Sequence, residues 1–471
     1  MADNSWRMGF HIVPPTGWLN DPNGLCQFRE IYHAFFQYSP DWPRGGERCW
    51  GHATSTDLVS WRYHGIALHQ DIPEDANGAY SGSAFIERSQ AADGGDRLRL
   101  YYTGNVKLAG DHDYILSGRE ANEITVTSDD GLAFSPKRVL LRNDDYPPFC
   151  SCHVRDPKVW EQDGTRRMAL GARDRDGNGL ALIFDSDDGI SWRHRNSIRP
   201  RNHFGFMWEC PDVIRLDERE FLGICPQGMP AKDADGMGTS WSGYIPLSAP
   251  AIETVEADES AYVEWDGGFD FYAPQTFVDD QGRTILIAWV GMPEDDFKGQ
   301  PKELDWIHCL SIPREVSVDP ADPTHLMQWP VSEVEGLRRD EVSLHGNGSD
   351  VTRGEMGVAC HQADIVVEGI EGGLTLTLDD SLEIACEDEE LRLTFLDASG
   401  AGRGTRAMPL DEASGLRVLV DNSVVEVFAN NGRTCMTSRW FPASEELTAS
   451  LSGKFALARA WRMADGMVYE S

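Results

Sequence analysis

Five stretches of this chain repeat one local grammar: a polar residue, a proline or small residue, an apolar strand, a turn and a second strand. They open at Asn20-Asp21-Pro22 before HAFFQY, at Tyr80-Ser81-Gly82-Ser83 before LRLYYTG and at Arg155-Asp156-Pro157 before RMALGAR. The last two are Glu209-Cys210-Pro211 before FLGICPQ and Tyr272-Ala273-Pro274 before TILIAWVG. Counted from positions 21, 81, 156, 209 and 273, the openings fall 60, 75, 53 and 64 residues apart. A second element recurs within that period at residues 55–61, 128–134 and 186–192, each with Ser first, Asp in the turn and an aromatic six residues on. Repeats of this length made of short strands predict propeller blades, and five fill roughly the first 310 residues. Pro22 disfavours helix at the preceding residue, so Asp21 belongs to extended chain at a strand end. The inner strand of each blade lines the central channel, which brings Asp21, Asp156 and Glu209 to one mouth. Three carboxylates around one funnel suit cleavage of a glycosidic bond.

From Trp6 to about Glu315 the chain reads as short apolar strands bounded by Gly, Asp, Asn and Pro, without an amphipathic helix. The fold class is all-β. A boundary follows at Asp319-Pro320-Ala321-Asp322-Pro323 and the charged SEVEGLRRDEV, which suits a helical turn or linker. Beyond it the alternation is strict: Leu374, Leu376 and Leu378, then Leu391, Leu393 and Phe395, then Leu416, Val418 and Val420. Asn430-Asn431-Gly432 supplies a hairpin turn. The division is therefore a five-bladed β-propeller over 1–320, a linker over 321–345 and an antiparallel β-sandwich over 346–471.

The formal charge of −35, from 77 acidic and 42 basic residues, disfavours nucleic acid and anionic membranes as partners. No apolar run is long enough for a signal peptide or a spanning helix, so a cytoplasmic protein is expected. Ten scattered cysteines read as free thiols. Cys150-Ser151-Cys152-His153 lacks a second ligand pair elsewhere, and neither a metal nor a cofactor is expected.

The motifs WLNDPNG at 18–24, Phe36-Gln37, Trp50-Gly51-His52, Ser81-Gly82-Ser83, Arg155-Asp156-Pro157, Glu209-Cys210-Pro211-Asp212 and SVVEVFANNGRTCMTSRWFP run through the chain in order. In this order they resemble glycoside hydrolase family 32, the retaining β-fructosidases. The resemblance implies a five-bladed propeller and a sandwich, with Asp21 as nucleophile, Glu209 as acid/base and Asp156 as transition-state stabiliser. YYTGNVK, HVRDPKVW and FMWECPD look like the variants of the intracellular sucrose and sucrose-6-phosphate hydrolases. Tyr80 departs from the family's usual Phe, and Trp42 stands near the place of a rim aromatic.

A retaining site needs one ionised and one protonated carboxyl about 5 to 5.5 Å apart. Asp21, among Asn20, Asn23 and backbone amides, is expected to stay ionised. Glu209, between Trp208 and Cys210 and behind Phe206 and Met207, is expected in an apolar setting that raises its pKa. Arg155 is expected to hold Asp156 ionised or to be a surface ion pair. Asn20, Gln37, Trp50, Ser81 and Arg155 are candidates for the fructose pocket. Trp289 reads equally as pocket wall and core filler. Any one carboxylate alone reads as a turn residue; the shared register argues otherwise.

The substrate class is a small sugar: sucrose, sucrose 6-phosphate or a short fructo-oligosaccharide. A phosphorylated sugar requires cations at the rim, and Lys107, Arg119, Lys158 and Arg173 fall in the right blades, although each alone reads as ordinary surface charge. Two alternatives predict different behaviour. An inverting arabinan- or xylan-type hydrolase requires carboxyls about 6.5 to 9.5 Å apart and releases the opposite anomer. A sugar-binding propeller binds without turnover and tolerates Asp21→Asn.

Overall fold

The computed structural model describes residues 6–42, 44–232, 238–294, 304–347 and 350–468. Strands and short 3-10 turns make up its elements, gathered into seven sheets. Five sheets occupy the propeller region, and their inner strands are the five repeat openings: Gly17–Phe28, Ala79–Glu87, Cys150–Gln162, Met207–Leu216 and Tyr272–Val278. These strands abut in sequence order and the fifth returns to the first, closing a ring.

Every inner strand carries the same irregularity. Three steps along it oppose two on its antiparallel neighbour between Leu19 and Pro22, Ala79 and Gly82, Arg155 and Lys158, Glu209 and Asp212, and Tyr272 and Gln275. A bulge leaves one residue unpaired and re-aims the side chains beside it. Proline fits there because the ladder asks for no N–H at that position. Asp156, Cys210 and Ala273 take left-handed backbone at their bulges, with φ of 66°, 47° and 49°. The repeated openings, four of them with proline, are thus the sequence trace of five bulges at the end of the channel where the strands begin. Farther along the same strands lies a separate cavity, lined in part by Leu25, Lys158, Val213 and Thr276, which does not include the three carboxylates.

Apolar runs such as TILIAWV are buried along their whole length, as expected of strands packed on both faces. The segment expected as a linker is not one. Leu326–Pro330 pairs with Arg314–Val318 in the fifth propeller sheet, and Arg338–His345 pairs with Leu457–Met463 in the sandwich. Between these two strands lies only the 3-10 turn Ser332–Leu337, so the charged residues of this stretch decorate strands rather than a spacer. The sandwich is two six-stranded antiparallel sheets around Leu376, Ile384, Leu393, Val418 and Val427. Its hairpin turn holds Asn430, Asn431 and Gly432 at positive φ, backbone that Asn and Gly adopt at little cost.

The two units are laced together. Leu419, Phe428 and Cys435 of the sandwich share a buried cluster with Leu19, Phe36 and Ile287 of the propeller. Backbone N–H groups of Gly9, Phe10 and His11 donate to Asp421, and Met467–Val468 runs parallel to Trp61–Arg62 in the first sheet. All ten cysteines are free thiols. No helix of the described residues is long and apolar enough to cross a membrane.

Candidate active site

The bulges bring the three carboxylates together. Ser81 Oγ donates to Asp21 Oδ2 at 2.5 Å, and Asn20 Nδ2 donates to Oδ1 at 3.0 Å. Asn20 is itself oriented by the Trp18 indole N–H at 3.1 Å. The Cys210 backbone N–H donates to Asp156 Oδ2 at 2.9 Å, and the Cys210 Sγ lies 3.8 Å from both Asp21 Oδ2 and Asp156 Oδ2. The Cys210 sulfur thus lies between two of the carboxylates, Asp21 and Asp156.

Glu209 is held from both sides. Arg155 Nη2 and Nε reach its Oε1 at 2.7 and 3.2 Å, and the Tyr272 hydroxyl donates to Oε2 at 2.7 Å. These surroundings differ from the apolar ones expected. Side chains of successive strand residues point to opposite faces, so Trp208 turns away and gives its indole N–H to the Phe204 carbonyl. Arg155 is no surface ion pair: it is 11% exposed, it binds Glu209 and His153 at 2.7 and 2.9 Å, and it lies 3.8 Å from Asp156, close enough to favour that carboxylate.

Burial, more than any partner, raises the Asp21 carboxyl above the ordinary aspartate range; the Glu209 charge adds to it, while Ser81 and Asn20 oppose it. The donors expected around Asp21 are therefore present and outweighed by desolvation. Asp156 is raised to about 7, chiefly by burial, with Arg155 opposing and Glu209 and Asp21 adding. Behind it, Thr103 Oγ1 accepts from the Asp156 N–H and donates to Glu123, whose carboxyl burial pushes well up. For Asp21 to act as a nucleophile its carboxyl has to be ionised, and turnover is then lost as pH falls through its raised pKa. Ser81→Ala removes a donor that stabilises the ionised form. The acid limb of kcat/KM is therefore expected to move to higher pH, and pH profiles of the two proteins compared on one substrate check this.

The remaining candidates divide. Gln37 has both amide ends committed, its Oε1 to Asn23 and its Nε2 to the Ala79 carbonyl, and it ties the first inner strand to the second. Trp50 is 0% exposed and packs against Phe35 and Tyr102, giving its indole N–H to the Tyr80 carbonyl. It is a core residue of the first two sheets. Trp289 is buried among Tyr272, Trp18 and His308, and Trp42 extends this aromatic group by packing on Trp18. Tyr272, Cys210 and Glu123 escape a reading of single motifs. The signal for Tyr272 is its register: Arg155, Glu209 and Tyr272 are the paired residues immediately before three successive bulges.

Comparison with known proteins gives the family. The model for the glycosyl hydrolases family 32 N-terminal domain matches residues 11–330, and that for the family's C-terminal domain matches residues 390–461. A sucrose-6-phosphate hydrolase of Bacillus subtilis is 36% identical over 460 residues, 95% of this chain and 92% of the relative. The structure of a sucrose-6-phosphate hydrolase from Lactobacillus gasseri superposes with a TM-score of 0.83 at 27% identity, covering 99% of this chain and 94% of that one. A β-fructofuranosidase of Bombyx mori gives 0.81 at 26% identity, covering 99% and 96%. The bulged carboxylate ring sits inside a match that spans both domains, and the chain belongs to glycosyl hydrolase family 32, a glycoside hydrolase that cleaves fructosyl units.

Proposed function

We propose that this enzyme removes terminal β-D-fructofuranosyl residues from sucrose, sucrose 6-phosphate or short fructo-oligosaccharides by double displacement. The observation that carries the reading is a pair of carboxyls close enough to feel each other's charge. Asp21 is fixed by Ser81 and Asn20, and Glu209 is fixed by Arg155 and Tyr272 at the same channel mouth. Asp21 attacks the anomeric carbon as the glycosidic bond breaks, and Glu209 gives its proton to the departing oxygen. Water, deprotonated by Glu209, then attacks the same carbon and releases Asp21. Asp156 accepts hydrogen bonds from the fructosyl hydroxyls, which tighten as the ring flattens toward the oxocarbenium-like state. Free, mostly buried thiols support a reducing, cytoplasmic setting.

The test is stereochemical. Two displacements return the starting configuration, so NMR of the sugar in the first moments of sucrose hydrolysis is expected to show β-fructofuranose before mutarotation. Initial release of the α anomer would establish a single displacement and overturn the assignment of Asp21.

A further inference from the structure

The chain carries a large excess of negative charge, and its arginines are commonly bound to carboxylates: Arg99 to Glu87, Arg199 to Asp174, Arg283 to Asp279. Beside the acid/base this pattern breaks. Arg48, Arg119 and Arg173 form no ion pair among the described residues. The Arg48 Nη1 donates to the Tyr80 hydroxyl at 3.3 Å, and Arg119 faces that hydroxyl as well. Arg119 Nη1 is fixed by Asn105 at 3.0 Å and its Nε by the Tyr114 carbonyl at 3.3 Å. The same carbonyl accepts the His153 Nε2–H at 2.9 Å, which leaves His153 Nδ1 to accept from Arg155, the partner of Glu209.

Arg173 also acts on His153 through its charge. Its guanidinium lies 4.8 Å over the ring of Phe206, an aromatic that is 37% exposed, and its Nε is buried without an acceptor. Burial together with Arg155, Arg119 and Arg173 lowers His153 to about 3, so the imidazole is a neutral spacer among cations. Fixed arginines with N–H groups to spare are the usual seat of a phosphate. The other rim cations differ. Lys158 is paired with Asp212 beside the separate cavity farther along the inner strands, and Lys107 rests on Tyr114.

We propose that Arg119 and Arg173, with Arg48 and Tyr80 beside them, form the seat for a phosphate monoester on the leaving half of the substrate. The exposed Phe206 ring is its apolar floor. This rests on the hydrolase reading above, because the seat has a purpose only if Glu209 protonates the oxygen of that leaving group.

The test compares kcat/KM on sucrose and sucrose 6-phosphate for the wild type, Arg119→Gln, Arg173→Gln and the double variant. Arg119 also braces a loop, so Arg173→Gln serves as the independent arm, and sucrose turnover reports folding in every variant. The wild type is expected to prefer the phosphorylated sugar. Each single variant is expected to lower that preference roughly 10- to 100-fold, the range for hydrogen bonds to a charged group. Glucose 6-phosphate is expected to compete better than glucose, and to lose that advantage in the double variant. Equal losses on both sugars, or a wild type indifferent to the phosphate, would overturn the seat and leave the hydrolase intact. Release of fructose from neither sugar would sink both.

Discussion

Asp21→Asn is expected to lower kcat on sucrose by roughly 10⁴-fold or more, the scale seen when a nucleophile is removed from an otherwise intact site. The amide is nearly isosteric and sits where Ser81 and Asn20 already hold the side chain. It cannot displace the leaving group. Burial disfavours the charge at this position, so neutralising it relieves a desolvation cost, and the variant is expected to melt at or slightly above the wild-type temperature. KM or inhibitor binding is expected to change far less than kcat. Steady-state kinetics with a melting curve check both halves. A variant that kept substantial turnover would remove Asp21 from the chemistry.

The second large effect lies far from the sugar. Arg314, wholly buried at the join between the units, reaches Glu426 at 2.6 Å, Asp266 at 3.2 Å, Thr437 Oγ1 at 2.6 Å and Gln328 at 2.7 Å. His11 adds a cation between Glu426 and Asp421 at 2.9 and 2.8 Å. Burial opposes charge on Glu426, yet Arg314 and His11 hold its carboxyl below the usual range. Arg314→Met removes one charge and strands Asp266 and Glu426 in the interior, a change that costs about 3–5 kcal/mol. The denaturation midpoint is expected to fall accordingly, while the double variant Arg314→Met/Glu426→Leu loses less than the sum of its parts. The same join is sensitive to alkali. His11 is raised to about 9 because its two carboxylate hydrogen bonds outweigh burial, so its contribution is whole below about pH 6.5 and fades as pH rises through 9.

The reach of sequence reasoning follows from the physics of the elements. Asp-Pro, Cys-Pro and Ala-Pro recur because each bulge needs a residue pair that leaves the ladder, and the recurrence is visible without any contact being known. Convergence of Asp21, Asp156 and Glu209 follows from that register. What surrounds them does not, because their neighbours come from the next sheet rather than the next residue. Glu209 meets Arg155 and Tyr272 from adjoining inner strands, while its sequence neighbour Trp208 faces elsewhere. Trp50 illustrates a related limit: an aromatic at a strand start looks alike from either face, and here Phe35 and Tyr102 claim the ring. The linker misreads because the charged run Arg338-Arg339-Asp340-Glu341 opens a sandwich strand that is mostly exposed.

The account depends on a covalent bond to Asp21, and trapping it is the most direct measurement. Glu209→Gln deprives the second step of its base, so an aryl β-fructofuranoside, whose leaving group needs no proton, is expected to load the enzyme faster than water clears it. Intact-mass analysis is then expected to show one added fructosyl unit, and peptide mapping to place it on Asp21 within Gly17–Phe28. A label on Asp156, or aryl release with no covalent species while the α anomer accumulates, would contradict it.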